Sequence, residues 1–407
     1  MKQWLERLPG YKSAVIPWHI LQGVFWACRY GFPARGMTVV GVTGTNGKTT
    51  TCLMIYRMLV AAGKKVGVIT TVGEGMLGEF DAAGGHMTTW PARQMNEKLA
   101  AMRRAGVRYL VLEVSSHALA QHRTLGVRFR VAVMTNLTQE HLNFHGTMER
   151  YAAAKMRLFR MAGMGVVNAE DEWGARFARA SRKAVAYGLE KGDVTLGKMP
   201  VKPELPGDYN KANALAAAAV GEILGLSRVQ ILEGIASLKE APGRMQVVDE
   251  GQKYTVIVDY AHTPDAMERV LAEGRKMAGR RRLIVCFGAQ GGNRDPGKRR
   301  PMGEIAGRLA DVVVLTEDES YETPVTEIMA DIAEGVVEAG KALGKDLFLE
   351  ERREKAVALA VSLARAGDVV MFLGKGHEKT ISRASGEEVY DEVAEVEKAI
   401  RKDSRAG

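Results

Sequence analysis

The chain has 407 residues, 46% apolar and 26% charged, which excludes a disordered polymer and, at roughly 150 residues per domain, calls for two or three folded domains. Three scattered cysteines (Cys28, Cys52, Cys286) exclude a disulfide framework and a zinc knuckle, so a reducing compartment, the cytoplasm, is expected. Fifty-seven basic against 48 acidic residues leave +9, a surplus that suits polyphosphate handling or weak nucleic-acid binding.

No run of about 18 uncharged apolar residues exists, so no spanning helix is predicted. Residues 14–32 come nearest, but Pro17, His19, Gln22 and Arg29 interrupt them. Lys2, Arg7 and Lys12 in front imitate a signal peptide, yet no small-residue cleavage site follows and a strand begins at Met37. The segment reads as an amphipathic helix packed on the first domain. A weak peripheral membrane contact through Trp18, Phe25 and Trp26 is the alternative.

From there β-branched runs alternate with helical stretches. Strands are predicted at 38–42, 66–70, 109–114 and 131–136, with helices over 49–62, 92–105 and 152–161. This βαβ rhythm predicts a mostly parallel sheet with helices on both faces. Pro200, Pro203 and Pro206 break the rhythm before an Ala-rich helix over 213–224. Pro242 and Gly243 mark a boundary. The rhythm then restarts with strands at 255–258, 283–287, 312–316 and 369–372, and helices at 264–277, 302–309 and 325–339. The expected α/β architecture is a short helical segment (1–36), a P-loop-type, mostly parallel-sheet ATP-binding domain (37–241) and a smaller Rossmann-like α/β domain (242–407). The polar tail 401–407 is expected to fray.

The run Gly41-Val42-Thr43-Gly44-Thr45-Asn46-Gly47-Lys48-Thr49-Thr50 is a strand end, a glycine-bearing turn and a helix start. Gly44 and Gly47 let backbone N–H groups turn inward around phosphate oxygens, with Thr45, Asn46 and Thr50 in the same cradle. Lys48 adds a point charge for the β- and γ-phosphates, and the Thr49 hydroxyl can bind Mg²⁺. The strict Walker pattern wants glycine at position 42, where Val42 stands, so the match is to a shorter variant, G-T-N-G-K-T. Glu113 falls near the C-terminal end of its strand, where open α/β sheets bind ligands, and suits a Mg²⁺ ligand. His141 and His145 stand four apart beside Glu140, but nothing else supports a zinc site.

At these residues the chain resembles the Mur ligases and folylpolyglutamate synthetases, ATP-dependent amide-forming ligases. The resemblance implies that His141 binds a second Mg²⁺ and that Lys155, in Ala152-Ala153-Ala154-Lys155, is carbamylated and helps hold it. The modification needs a neutral amine in a partly desolvated site. It implies adenine contact by Asn210 in Asp208-Tyr209-Asn210-Lys211, and phosphate contact by Arg244 in Pro242-Gly243-Arg244-Met245. Asp259, in Val258-Asp259-Tyr260-Ala261-His262-Thr263-Pro264-Asp265, would hold the ATP ribose.

Further segments are most similar to the MurE branch, which adds the third peptide residue to UDP-N-acetylmuramoyl-L-Ala-D-Glu. Met87-Thr88-Thr89 and the run 115–123 (Ser-Ser-His-Ala-Leu-Ala-Gln-His-Arg) would contact that acceptor through Thr88, Thr89, Ser115, Gln121 and Arg123. Gly291-Gly292-Asn293-Arg294-Asp295 and Gly374-Lys375-Gly376-His377-Glu378 would grip the incoming amino acid through Arg294, Gly374 and Glu378, with Asp318. Two departures stand out. The branch's diaminopimelate-selecting Asp-Asn-Pro-Arg run is here Asp318-Glu319-Ser320-Tyr321. The arginine for a distal carboxylate is missing and acids stand near, so lysine or ornithine is expected. The alternative is that these acids are solvated loop residues and another arginine serves the distal carboxylate. Only 36 residues precede Met37, where the family carries a uridine-binding domain, so uridine recognition is unsupported.

ATP and Mg²⁺ are the expected cofactors, and the expected partners are a muramoyl-peptide acceptor and an amino acid, with the chain a monomer. The rivals are a folylpolyglutamate synthetase-like ligase, a non-catalytic Mur-ligase-like scaffold and a nucleic-acid binder. The last is disfavoured because Arg280-Arg281-Arg282 is short and lacks an aromatic platform.

Overall fold

In the computed structural model the described residues are 16–82, 88–292 and 294–403. The expectations for Lys2, Arg7, Lys12, Met87, Asn293 and the last four residues lie outside them. The chain divides into two compact units. The first comprises residues up to Gln139 together with His145–Lys239, and the second Glu140–Phe144 with Glu240–Gly407.

The first unit is built on eight strands: β1 (Thr38–Thr43), β2 (Val66–Thr70), β3 (Gly73–Met76), β4 (Glu79–Asp81), β5 (Tyr109–Glu113), β6 (Phe129–Met134), β7 (Met164–Asn168) and β8 (Ala184–Tyr187). Their order is β4-β3-β2-β5-β1-β6-β7-β8. Pairing is parallel from β2 through β8, and the β2–β3–β4 edge is antiparallel. Helices cover both faces, so strands such as β2 and β5 read as near-continuous apolar runs rather than alternating ones. The helix Lys48–Ala61 after β1 is buried along most of its length under the helices Asp208–Ile223 and Arg228–Ala236. The buried run Ala216–Ala219 keeps that packing close, since alanine adds little bulk and loses no rotamer freedom. The central position of β1, between β5 and β6, sets its C-terminal turn at the switch point where α/β sheets take ligands.

The second unit holds β9 (Gln246–Val248), β10 (Thr255–Asp259), β11 (Leu283–Phe287), β12 (Val312–Leu315), β13 (Leu347–Leu349) and β14 (Val369–Leu373), ordered β13-β12-β11-β14-β10-β9. Only the β9 edge is antiparallel. A hairpin, β15 (Thr380–Arg383) and β16 (Gly386–Val389), follows. The helix Pro264–Ala278 starts where the sequence places it, with Pro264 in the first turn and the Thr263 hydroxyl accepting from the Ala266 N–H.

Buried charge pins the loops of this unit. Arg353 is wholly buried and binds both carboxylate oxygens of Glu392, at 2.9 and 2.7 Å, plus the Glu317 and Leu373 carbonyls. Arg383 binds both carboxylate oxygens of Glu317, at 2.9 and 2.7 Å. Each guanidinium fork matches a carboxylate edge, the geometry that offsets desolvation best.

The helix Ile16–Arg29 forms and packs against the helix Ala92–Arg104, with Gly23 and Ala27 turned inward and Trp18, Leu21 and Phe25 more than half exposed. One expectation needs correction. The tail does not fray at 401: the last helix runs over Glu392–Asp403, and Arg401 binds Glu250 at 2.6 and 2.7 Å.

Candidate active site

In the first unit the turn after β1 is held by its neighbours. The Thr45 N–H donates to the Asn136 carbonyl and the Asn46 N–H to Asn136 Oδ1, both at 2.9 Å. The Thr135 hydroxyl donates to the Asn46 carbonyl at 2.6 Å. Gly44 (φ 151°) and Gly47 (φ 80°) carry backbone that L side chains rarely adopt. A Cβ on Gly47 would lie 2.4 Å from Asn213 Oδ1, so the turn is braced as well as bent. Gly47 caps the helix Lys48–Ala61 without a side-chain hydrogen bond, leaving the helix N-terminus to an anion. Gly47→Ala is therefore expected to cost about 1–3 kcal/mol of stability, checked by urea unfolding.

The Lys48 ammonium donates to the Thr45 carbonyl at 2.7 Å. Glu113, 1% exposed at the end of β5, accepts from the Thr49 hydroxyl (2.9 Å), the Thr71 N–H (3.0 Å) and the Thr71 hydroxyl (2.9 Å). The structure thus brings Lys48, Thr49 and Glu113 together around one turn. The buried Lys155 ammonium donates to the Gly44 carbonyl at 2.6 Å and lies 4.6 Å above the Tyr151 ring. Thr50 is buried in the first turn of the helix Lys48–Ala61. His141, with positive φ (56°), belongs to the stretch grouped with the second unit, where Glu140 lies within 3.5 Å of both His141 and His262.

The acceptor-binding candidates cluster beside this turn. The Thr88 and Thr71 hydroxyls lie 2.9 Å apart, Thr88 donating because the Thr71 proton goes to Glu113, and Thr89 donates to the Glu113 carbonyl while accepting from the Ser115 N–H. Arg123 donates to the Thr89 carbonyl and to Gln121 Oε1, both at 2.8 Å, and burial holds its pKa below the usual arginine value. Ser115 caps the short helix Ser116–Ala120. His145 is buried and bonds Ser116, a structural position. Asn210 donates to the Pro206 carbonyl and accepts from Asn213, so it ties the helix start to the residue that braces Gly47.

In the second unit, Asp259 accepts the Met245 and Ala261 N–H groups, both at 2.7 Å. It staples the Pro242–Gly243 turn to the end of β10. Burial nonetheless pushes its pKa up, against Arg244 and those two amides. Arg244 stacks 4.6 Å over the Tyr260 ring.

The first three acids after β12 are not solvated, while Glu322 is exposed. Glu317, Asp318, Glu319 and Ser320 are all buried, which corrects the alternative of an exposed loop. Lys375, fully buried, is the missing counterion. It donates to Glu319 and, at 2.7 Å, to Glu378, and lies 3.9 Å from Asp318. Burial works against the Lys375 charge, but Asp318, Glu378 and Glu319 carry its pKa above the usual lysine value. Burial raises Glu378, with Lys375 opposing. Among the described residues neither Asp318 oxygen accepts a hydrogen bond, and Gly374 passes so close that a Cβ there would lie 3.1 Å from Asp318 Oδ2. Three acids and one lysine leave this cluster at −2, suited to a cationic group. Arg294 hydrogen-bonds Tyr321, which burial pushes above the ordinary tyrosine pKa.

Sequence reasoning missed Thr71, Asn136, Asn213 and the role of Lys375. Only Lys375 carried a signal, its place inside the Gly374–Glu378 run; the others act through tertiary contacts.

A model of the Mur ligase middle domain matches residues 42–221, and one of the Mur ligase, glutamate ligase domain matches 243–376. The UDP-N-acetylmuramyl-tripeptide synthetase of Deinococcus radiodurans is 40% identical over 390 residues, covering 90% of this chain and 78% of that protein. The UDP-N-acetylmuramoyl-L-alanyl-D-glutamate–2,6-diaminopimelate ligase of Chromobacterium violaceum is 39% identical over 405 residues, covering 93% and 80%. A solved ligase of the latter name superposes with TM-score 0.60 at 30% identity, covering 91% of this chain and 80% of that one. Escherichia coli FolC, solved with DHPP and ADP, shares the fold alone, with TM-score 0.67 at 21% identity over 95% and 93% of the two chains.

Proposed function

The chain belongs to the Mur ligase family, and on that premise we propose that it is an ATP-dependent ligase that joins an amino acid to a UDP-N-acetylmuramoyl-L-alanyl-D-glutamate-type acceptor in peptidoglycan precursor synthesis. The observation that carries the reading is the turn at Gly44–Thr49, with Lys48, Thr49 and Glu113 gathered at the C-terminal ends of β1 and β5. Lys48 and the N-terminus of the helix Lys48–Ala61 receive the triphosphate, while the Thr45 and Asn46 amides stay committed to Asn136. Thr49 and Glu113, hard oxygen donors 2.9 Å apart, fit Mg²⁺, which when bound supplies charge neutralisation. In the first unit we assign a carbamylated Lys155 to Mg²⁺ and Asn210 to the nucleotide; in the second we assign His141 to Mg²⁺ and Arg244 and Asp259 to the nucleotide. Thr88, Thr89, Ser115, Gln121 and Arg123 orient the acceptor.

The acceptor carboxylate attacks the γ-phosphorus and ADP leaves. The amine then attacks the acyl phosphate carbonyl, and phosphate leaves as the amide forms. The chain's part in this is positioning and charge neutralisation. Phosphate release measured with the acceptor against a panel of amino acids tests the reading. Release that no amino acid stimulates would sink it.

The second-unit cluster supports a diamino acid without a distal carboxylate, such as lysine or ornithine. Asp318 and Glu378 suit a cation, Arg294 is engaged by Tyr321, and the arginine that would pair with a second carboxylate is replaced by that tyrosine. Lysine is expected to outcompete diaminopimelate in kcat/KM. Tyr321→Arg is expected to shift the ratio toward diaminopimelate by about tenfold, the worth of one charge-assisted contact. Wild-type preference for diaminopimelate would refute this assignment.

A further inference from the structure

The helix Ile16–Arg29 turns an uncharged apolar face outward. Pro17, Trp18, Ile20, Leu21, Val24, Phe25 and Cys28 are exposed and together span about half its circumference. Trp18, Leu21 and Phe25 are 57%, 61% and 56% exposed, on a face no mechanism above uses. The helix is not loosely attached. A Cβ on Gly23 would lie 3.0 Å from Leu125, and one on Gly126 would lie 3.0 Å from the Ala27 Cβ. The apolar face is thus held outward on a firm base, at a cost that needs a partner to offset it.

The surroundings identify the partner's chemistry. Arg29, Arg35, Arg93, Arg103 and Arg104 are all exposed. Three of them touch the helix or its extension: Arg93 lies 5.4 Å from the Trp26 ring, Arg35 stacks 4.3 Å over Phe32, and Arg103 donates to the Gly31 carbonyl at 3.4 Å. Residues 16–35 carry no acid, and the neighbouring helix Ala92–Arg104 carries one, Glu97. Aromatic and aliphatic side chains ringed by arginine match a layer that is apolar inside and anionic at its surface. We propose that this face docks on an anionic phospholipid bilayer, with Trp18, Leu21 and Phe25 entering the headgroup region and the arginines meeting lipid phosphates. Among the described residues no helix is long and apolar enough to cross a membrane, so the contact is peripheral.

The test uses the full chain and sedimentation with vesicles of phosphatidylcholine and phosphatidylglycerol in equal parts, or of phosphatidylcholine alone. The expected result is binding to the mixed vesicles that weakens in high salt and falls about tenfold or more in the double variant Leu21→Glu, Phe25→Glu. Both positions are exposed, so phosphate release with a soluble acceptor is expected to stay at the wild-type level. Trp18→Phe is expected to keep most of the binding while losing most of the lipid-induced fluorescence blue shift. Absence of wild-type binding to the mixed vesicles, equal binding by the double variant, or lipid-independent self-association abolished by the same two substitutions would each overturn the proposal.

Discussion

Lys48→Ala is expected to lower kcat/KM for acceptor-dependent phosphate release by about 10²–10³-fold, which corresponds to ~3–4 kcal/mol of lost transition-state stabilisation. Lys48 opens the helix that follows the phosphate turn, and its ammonium rests on the Thr45 carbonyl. That carbonyl is a weak, neutral partner. Triphosphate oxygens are anionic and outcompete it, so the ammonium is parked within reach of its work. The side chain is only half-buried, and the Thr45–Asn136 and Asn46–Asn136 bonds hold the turn without it. The unfolding midpoint is therefore expected to move little. Lys48→Arg keeps the charge but replaces a compact ammonium by a planar fork, and an intermediate rate is expected. Turnover of the alanine variant at the wild-type rate would remove Lys48 from the mechanism.

Lys375→Met is expected to destabilise the chain by about 3–5 kcal/mol at neutral pH, the range for removing one partner of a buried charge cluster. The substitution leaves ligand atoms of Asp318, Glu319 and Glu378 within 4.8 Å of one another with no cation among them. The pH dependence follows from the directions of the shifts. The folded pKa of Lys375 lies above its unfolded value, so its stabilisation is complete below the unfolded pKa and is lost only as pH climbs through the folded one. All of it is present at pH 7. The folded pKa of Glu378 is also raised, so proton uptake favours the folded state as pH falls through that value toward the unfolded carboxyl pKa. Without Lys375 opposing it, that rise grows. The variant is expected to recover part of its urea midpoint between pH 7.5 and pH 5, where the wild type gains less. An equal deficit at both pH values would show that packing, not charge, carries the loss.

Much of the first unit was legible in the chain itself. A strand, two glycines three apart and a lysine at a helix start can form little else, because the positive φ at Gly47 and the approach to Asn213 exclude side chains there. The βαβ rhythm likewise forecast parallel sheets, since buried strands need apolar residues on both faces. Glu113 was legible as a strand-end carboxylate, but not its two bonds to Thr71, which arrives from the end of β2.

The second unit was harder to read. For Glu317-Asp318-Glu319 a solvated loop stayed open as the alternative, because acids that close repel when nothing offsets them. They are buried because the Arg383 guanidinium, the Lys375 ammonium and the Arg353 backbone N–H reach them from positions 36 to 66 residues away. The helix Ile16–Arg29 was legible as a helix, while the choice of inward face fell to Gly23 and Ala27, which fit closely against Leu125 and Gly126. Local backbone rules, which act over a few residues, settled the element pattern and the phosphate turn. Charge compensation and close packing act between residues distant in the chain, so the tertiary structure alone decided which acids could be buried, which lysine answers them and which face of the first described helix looks outward.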